Sequence, residues 1–176
     1  MKMPSFLAGV RRLGVFAGAA LVVTGAVASA ACSSDPTSNI GLCSDYTPPA
    51  TFDATTPAVS FSKDVMPIFK QSCAFSTCHG SNVGDANGVY LGDDAPRVHA
   101  AVLGVVASEL PSMAFVVAGD PRASYLMRKM DGSQCALDAQ CQGGSCQMSM
   151  PRGEDPLPLE TRDVVRRWIA QGAKND

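Results

Sequence analysis

Cys73-Ala74-Phe75-Ser76-Thr77-Cys78-His79 is the stretch on which the reading of this chain turns. Two cysteines with a histidine directly after the second form the order that covalent haem attachment requires. Two thiols add across the two vinyl groups of the porphyrin, and the adjacent imidazole is then held beneath the ring, where it ligates iron. The usual attachment motif has two residues between the cysteines, whereas this one has four. Ala74 to Thr77 must therefore bulge for both sulfurs to span the vinyl separation, and Ser76 and Thr77 are small, turn-tolerant residues that suit a bulge. Read from the residues alone, the stretch is a haem anchor, a plain disulfide loop or part of a zinc site. Zinc takes four ligands, and Cys73, Cys78 and His79 supply three, with His99 the only other histidine of the chain.

Upstream, residues 1–31 read as an export signal. Lys2, Arg11 and Arg12 make a positive n-region, Leu13 to Val27 an apolar segment, and Ala28 to Ala31 a small-residue cleavage zone. The apolar run is short and has cleavage-type flanks, which argues against a retained membrane span. Ala30 completes an Ala-x-Ala site for signal peptidase. Ala30-Ala31-Cys32 also resembles the end of a lipobox, with Ser29 where Leu is usual, and makes Cys32 a candidate lipidated N-terminus. The expected location is the outer membrane, facing the periplasm or the cell surface through that anchor, or else the soluble periplasm.

The chain has 14 basic and 16 acidic residues. Residues 1–31 carry three of the basic ones and no acidic one, so the remainder has 11 against 16, a net charge of −5. This balance, without any basic cluster, argues against nucleic acid as a partner. It suits a redox protein with a basic patch, met through salt-sensitive association. Seven cysteines in an exported chain divide naturally into one lipid-bearing residue (Cys32), one haem pair (Cys73 and Cys78) and four others. Cys43, Cys135, Cys141 and Cys146 are disulfide candidates in any of three connectivities.

Residues 32–59 are rich in Ser, Thr, Pro and Asp and read as a flexible tether, with Cys43 placed to pin part of it. Order is expected from Ser60, and residues 60–176 make one small, mostly α domain with long loops and extra disulfides. Four helices are expected. The first is capped by Ser62 and runs to about Gln71, with Pro67 as a bend. The second is capped by Asp94 and runs from Ala95 to about Val105. The third starts at Asp120-Pro121 and ends at Gly132. The fourth runs from Leu159 to Gln171, with Val164, Val165, Trp168 and Ile169 on one side and Arg162, Arg166 and Arg167 on a solvated face. Met113 to Ala118 is apolar and β-branched, and reads as extended.

A haem iron that carries electrons favours six-coordination, and a thioether from Met stabilises its ferrous state. Met150, on the Pro- and Gly-bearing Met150-Pro151-Arg152-Gly153 segment before the last helix, is the candidate distal ligand. Met148 and His99 are the alternatives.

From Phe61 to Ala173 the chain resembles a small c-type cytochrome domain of exported bacterial lipoproteins, such as those of planctomycetes and myxobacteria. The matching pieces are Phe61 to Phe69, Cys78-His79-Gly80, Gly88 to Leu91, Gly119-Asp120-Pro121, Ser124-Tyr125-Leu126, Met150-Pro151 and Trp168 to Ala173. The chain departs from the family in its cysteine spacing and in a Cys135–Cys146 insert before Met150. The resemblance implies a cytochrome c-like helical fold and one covalent haem c on Cys73 and Cys78. It also implies His79 as proximal ligand, Met150 as distal ligand, and one-electron transfer in an electron carrier rather than an enzyme. Two other functions fit the residues: a haem-free, disulfide-stapled structural or binding lipoprotein, and a five-coordinate haem peroxidase or gas sensor.

Overall fold

Ser60, two residues before the expected cap at Ser62, starts the helical part of the chain. Its hydroxyl accepts from the Lys63 amide (3.3 Å), and the Asp64 carboxylate accepts from the Ser60 amide (2.8 Å), so cap and first turn satisfy each other. A π-helical turn, Phe61–Val65, follows, and the Met66 amide donates five residues back to the Phe61 carbonyl. Pro67 comes next, in the first turn of helix α1 (Met66–Ser72). The wide turn ends where the ladder would meet a residue without an N–H, so Pro67 sits in α1 without breaking a helix. This computed structural model describes residue 43, residues 45–81 and residues 86–176. The expected export signal and the candidate lipidation site at Cys32 lie outside the described residues.

Helix α2 (Ala95–Val102) is capped by Asp94, whose carboxylate accepts from the Arg97 amide at 3.1 Å. It stops three residues short of the expected Val105. Leu103 is already extended, Gly104 has φ +68°, and the chain from Val102 to Ala107 pairs with Met113 to Val116. Isolated bridges join Leu103 to Val116 and Val106 to Ala114; the described residues contain no sheet. The expectation of an extended Met113–Ala118 segment agrees with this pairing.

Helix α3 (Tyr125–Asp131) begins four residues later than Pro121. The Asp120 carboxylate does accept two amides, from Arg122 and Ala123 (3.0 Å each), but they close a turn. The amides of Tyr125 and Leu126 donate to Ala114 and Phe115, so the extended segment satisfies donors that a helix cap would otherwise take. Gly132, at φ +70°, ends α3 as expected. Helix α4 (Leu159–Ala170) closes the domain.

Phe61 and Trp168 are fully buried and stack with ring centroids 4.9 Å apart, which joins the first turn to α4. Each such side chain contributes about 1.5–3 kcal/mol by burial, and the stacking about 1 kcal/mol more. Val65, Phe69, Val98, Val102, Met127 and Ile169 extend this core, and Met130 belongs to it as well. A smaller cluster gathers Leu110, Tyr125, Cys141 and Cys146. Two disulfides fix the connectivity as Cys43–Cys135 and Cys141–Cys146. Among the described residues no helix is long and apolar enough to cross a membrane.

The arginine face of α4 departs from expectation. Arg166 is buried, bonded to Asp131 (2.9 Å) and Asp163 (3.0 Å), and Arg162 also reaches Asp131 (2.6 Å). Residues 45–59, expected as tether, lie across this face as a strap. The Tyr46 ring covers the Arg166 guanidinium at 4.3 Å, and Arg167 donates to the Asp53 carbonyl. Gln171 donates to the carbonyls of Ala54, Thr55 and Pro57 and accepts from the Val59 amide. Ser, Thr, Pro and Asp do not build a core, but their backbone groups are ordered by long polar side chains from α4. Burial opposes the Arg166 charge, yet the hydrogen bonds and charges of Asp131 and Asp163 outweigh it and hold the guanidinium above its ordinary pKa.

Candidate functional site

Helix α1 ends into the Cys73–Gly80 loop. The amides of Cys73 and Ala74 both donate to the Phe69 carbonyl (2.8 and 2.9 Å), which turns the chain out of the helix. The amides of Cys78 and Gly80 both donate to Phe75 (2.9 and 3.0 Å), and the His79 amide returns to Cys73 (3.2 Å). The four intervening residues thus form a closed turn rather than a slack bulge. Gly80 is required by this closure, because a Cβ there would lie 2.0 Å from the Ala74 carbonyl oxygen. Phe75, at the tip, is 58% exposed.

Cys73 and Cys78 are free thiols, while the two disulfides take up Cys43, Cys135, Cys141 and Cys146. Burial, with the neighbouring Cys78 adding to it, pushes the Cys73 thiol up to about 12. A thiol so far from ionisation is slow in disulfide exchange, which proceeds through the thiolate.

His79 is oriented by its own backbone neighbourhood. Its Nδ1 lies 2.9 Å from the Val89 carbonyl, which can only accept, so Nδ1 carries the proton and Nε2 is the bare nitrogen. The Leu91 amide in turn donates to the His79 carbonyl at 2.8 Å. This is the arrangement that fixes a ligating imidazole, with one nitrogen tied and the other offered. His99 is placed differently. Its Nε2 donates to the Ala173 carbonyl (2.7 Å), and its ring packs against Phe61 and Trp168. Ligation through that nitrogen requires breaking the bond.

The distal candidates follow the Cys141–Cys146 loop. Lys129 of α3 holds this stretch, with its Nζ donating to the carbonyls of Cys146 (2.6 Å) and Met148 (2.9 Å), while its own carbonyl accepts from the Met150 amide (2.9 Å). The third ammonium donor goes to Glu109 at 2.8 Å, so every N–H of a side chain only 8% exposed is used. Tyr125 donates to the same Glu109 oxygen, and burial first, then that hydrogen bond, holds its phenol well above the ordinary range. The other Glu109 oxygen accepts from Asn87 (2.9 Å), two residues before Val89. Met148 is 48% exposed and Met150 half-buried. Among the described residues no hydrogen bond joins either methionine to the Cys73–His79 loop.

The loop therefore brings Cys73, Cys78 and His79 together, and Met150 is set by a separate anchor. The sequence reading missed Val89 as the orienting carbonyl and the Glu109–Lys129 pair. Lys129 lies one turn from Tyr125 on the inner face of α3, a spacing that could have flagged it. Nothing local marks Glu109, 20 residues away.

The fold and site define a small helical domain, stapled by two disulfides, that presents two free thiols and an oriented histidine on one loop. No family model matches the chain, and no curated protein or solved structure matches it either.

Proposed function

We propose that this protein is a monohaem c-type cytochrome, an electron carrier rather than an enzyme, exported and anchored by lipid at Cys32. One observation carries the reading. Cys73 and Cys78 remain thiols in a domain whose other described cysteines are paired, next to an imidazole whose Nδ1 is tied to Val89 and whose Nε2 is bare. This donor set fits a haem c: Cys73 and Cys78 would bind the vinyl carbons, and His79 and Met150 would ligate the iron. When bound, the haem supplies a one-electron couple. The chain's residues do the rest. Val89 fixes the imidazole, Gly80 lets the loop close, and Lys129 sets the Met150 backbone. The acidic balance of the exported chain suits a partner with a basic patch.

The haem-free, disulfide-stapled module is the second reading. It is favoured by the Cys43–Cys135 and Cys141–Cys146 disulfides, which staple the domain by themselves. One experiment separates the readings: expression of the full chain with a haem-maturation system, followed by mass and absorption measurements. The expected result is one covalent haem with a low-spin spectrum, lost in His79→Ala and converted to high spin in Met150→Ala. Absence of covalent haem in the wild-type protein overturns the cytochrome reading in favour of the stapled module. A high-spin wild-type spectrum moves the assignment to a five-coordinate peroxidase or sensor, and an unchanged Met150→Ala spectrum moves the distal ligand to Met148 or His99.

A further inference from the structure

Between the strap and the facing surfaces of α3 and α4 lies a cavity of about 270 Å³. Tyr46 and Phe52 line it from the strap, Met127 and Arg128 from α3, Ser133 from the turn after α3, and Arg166 from α4. Among the described residues, four buried side-chain polar atoms lack a hydrogen-bond partner: Tyr46 Oη, Arg128 Nε, Ser133 Oγ and Gln134 Oε1. Three of the four belong to residues that line this cavity. Ser133 is 1% exposed, so bulk water does not serve it.

A buried polar group without a partner is costly, and native proteins keep few of them. Three gathered at one cavity indicate that a partner belongs there. All three can donate, and Arg128 Nε can do nothing else, so what is missing is an acceptor. Much of the fixed charge is already matched: Arg166 by Asp131 and Asp163, and one Arg128 nitrogen by Asp45. Arg122 adds a further guanidinium to the wall. The remaining surface is apolar, with Phe52 and Met127 its largest side chains. The volume lies just below the range of ordinary small-molecule sites and is too small for a porphyrin.

We infer that the cavity under the strap is a binding site for a small organic monocarboxylate with an apolar body, whose oxygens accept from Tyr46, Ser133 and Arg128. The site does not depend on the haem. A carboxylate offers acceptors only, which matches the unused donors, and a ring or short chain fills the space beside Phe52 and Met127. An ammonium compound would bring donors only and leave Arg128 Nε without a partner.

Calorimetry on the full-length protein with benzoate, benzamide and acetate tests this. Benzoate is expected to bind, with benzamide at least about tenfold weaker because its NH₂ meets donors, and acetate weaker because it lacks the apolar body. Tyr46→Phe and Ser133→Ala supply the decisive arm. Each removes a hydroxyl with no partner in the free protein, so the Tm without ligand should hold or rise, while benzoate affinity falls about tenfold. Equal binding of benzoate and benzamide, or binding of neither, overturns the inference. So does a lowered Tm in both variants with unchanged benzoate affinity, which would assign the hydroxyls to ordered water.

Discussion

The Cys73–Gly80 loop and the Cys146–Pro151 segment carry the two sides of the proposed haem site, and they are held in opposite ways. The first is closed by backbone hydrogen bonds within eight residues and by a glycine, and its side-chain hydrogen bond to the rest of the fold, among the described residues, is His79–Val89. The second is fixed by a buried ammonium on one helix and a carboxylate from a distant loop. A short-range loop keeps its shape when distant residues change, whereas a charged clamp fails as a unit when one partner is removed. Proximal geometry should therefore survive most remote substitutions, and distal geometry should depend on two residues.

The largest effect is expected for Lys129→Met. It leaves a half-buried Glu109 without its cation and frees the carbonyls of Cys146 and Met148, so a loss of about 3 kcal/mol is expected in urea unfolding. Amide exchange should rise at Cys146 to Met150 and stay protected at Cys78 to Gly80. Equal deprotection of both stretches would erase the distinction between them. Gly80→Ala is the converse. Its Cβ meets backbone, which cannot swing aside, and a cost of about 1–3 kcal/mol is expected with a drop in haem attachment. Exchange at Met150 should not change. Wild-type stability and haem content in Gly80→Ala would mean that the loop closes otherwise.

How much of the molecule is legible in its sequence follows the same division. The Asp94 cap, the Gly132 stop and the last helix are local patterns, and each lies where its residues indicate; the Cys73–His79 stretch is a local pattern too, and its loop closes on itself. The third helix is expected too early because Asp120-Pro121 has the chemistry of a helix start. The amides that decide the matter pair with Ala114 and Phe115 instead, a tertiary fact. Arg166 shares one side of an amphipathic pattern with Arg162 and reads as solvated until Tyr46 and Asp131 cover it. The strap reads as tether because its composition lacks core residues; its order comes from Gln171 and Arg167, over 100 residues away. Local chemistry is readable along the chain, and partners brought by the fold are not.

Alkaline titration separates the proximal loop with and without haem. The free Cys73 thiol has a folded pKa of about 12, above the ordinary 9.0. The native state therefore keeps its proton where the unfolded chain has lost it. That contribution is fully present below pH 9 and declines as pH rises from 9 towards 12, by about 1 kcal/mol at pH 10. Haem-free protein should show this decline, and Cys73→Ala should flatten it. A thioether has no proton to lose, so the haem-loaded protein should lack the Cys73 part of the slope. A slope identical in all three would remove Cys73 from the account, leaving phenols such as Tyr125 as its source.

The smallest expected effect bears most directly on whether the two regions are independent. Among the described residues, Asn87 links them: its side-chain amide donates to Glu109 on the distal side, its carbonyl accepts from the Ser108 hydroxyl (3.4 Å), and two residues later Val89 holds His79. Its backbone has φ +53°, so Asn87→Ala would mix strain with the lost bond. Asn87→Gly keeps that conformation accessible and removes only the amide, at a cost of about 1 kcal/mol or less for an exposed bond. A double-mutant cycle with Glu109→Gln, read by stability and by exchange at His79, then measures the coupling. Additivity within about 0.5 kcal/mol makes the two regions separate devices on one scaffold. A stronger coupling, with His79 exchange rising in Glu109→Gln alone, makes Glu109 a shared support for both proposed axial ligands. The exposure of Asn87 and the backbone closure of the proximal loop favour additivity.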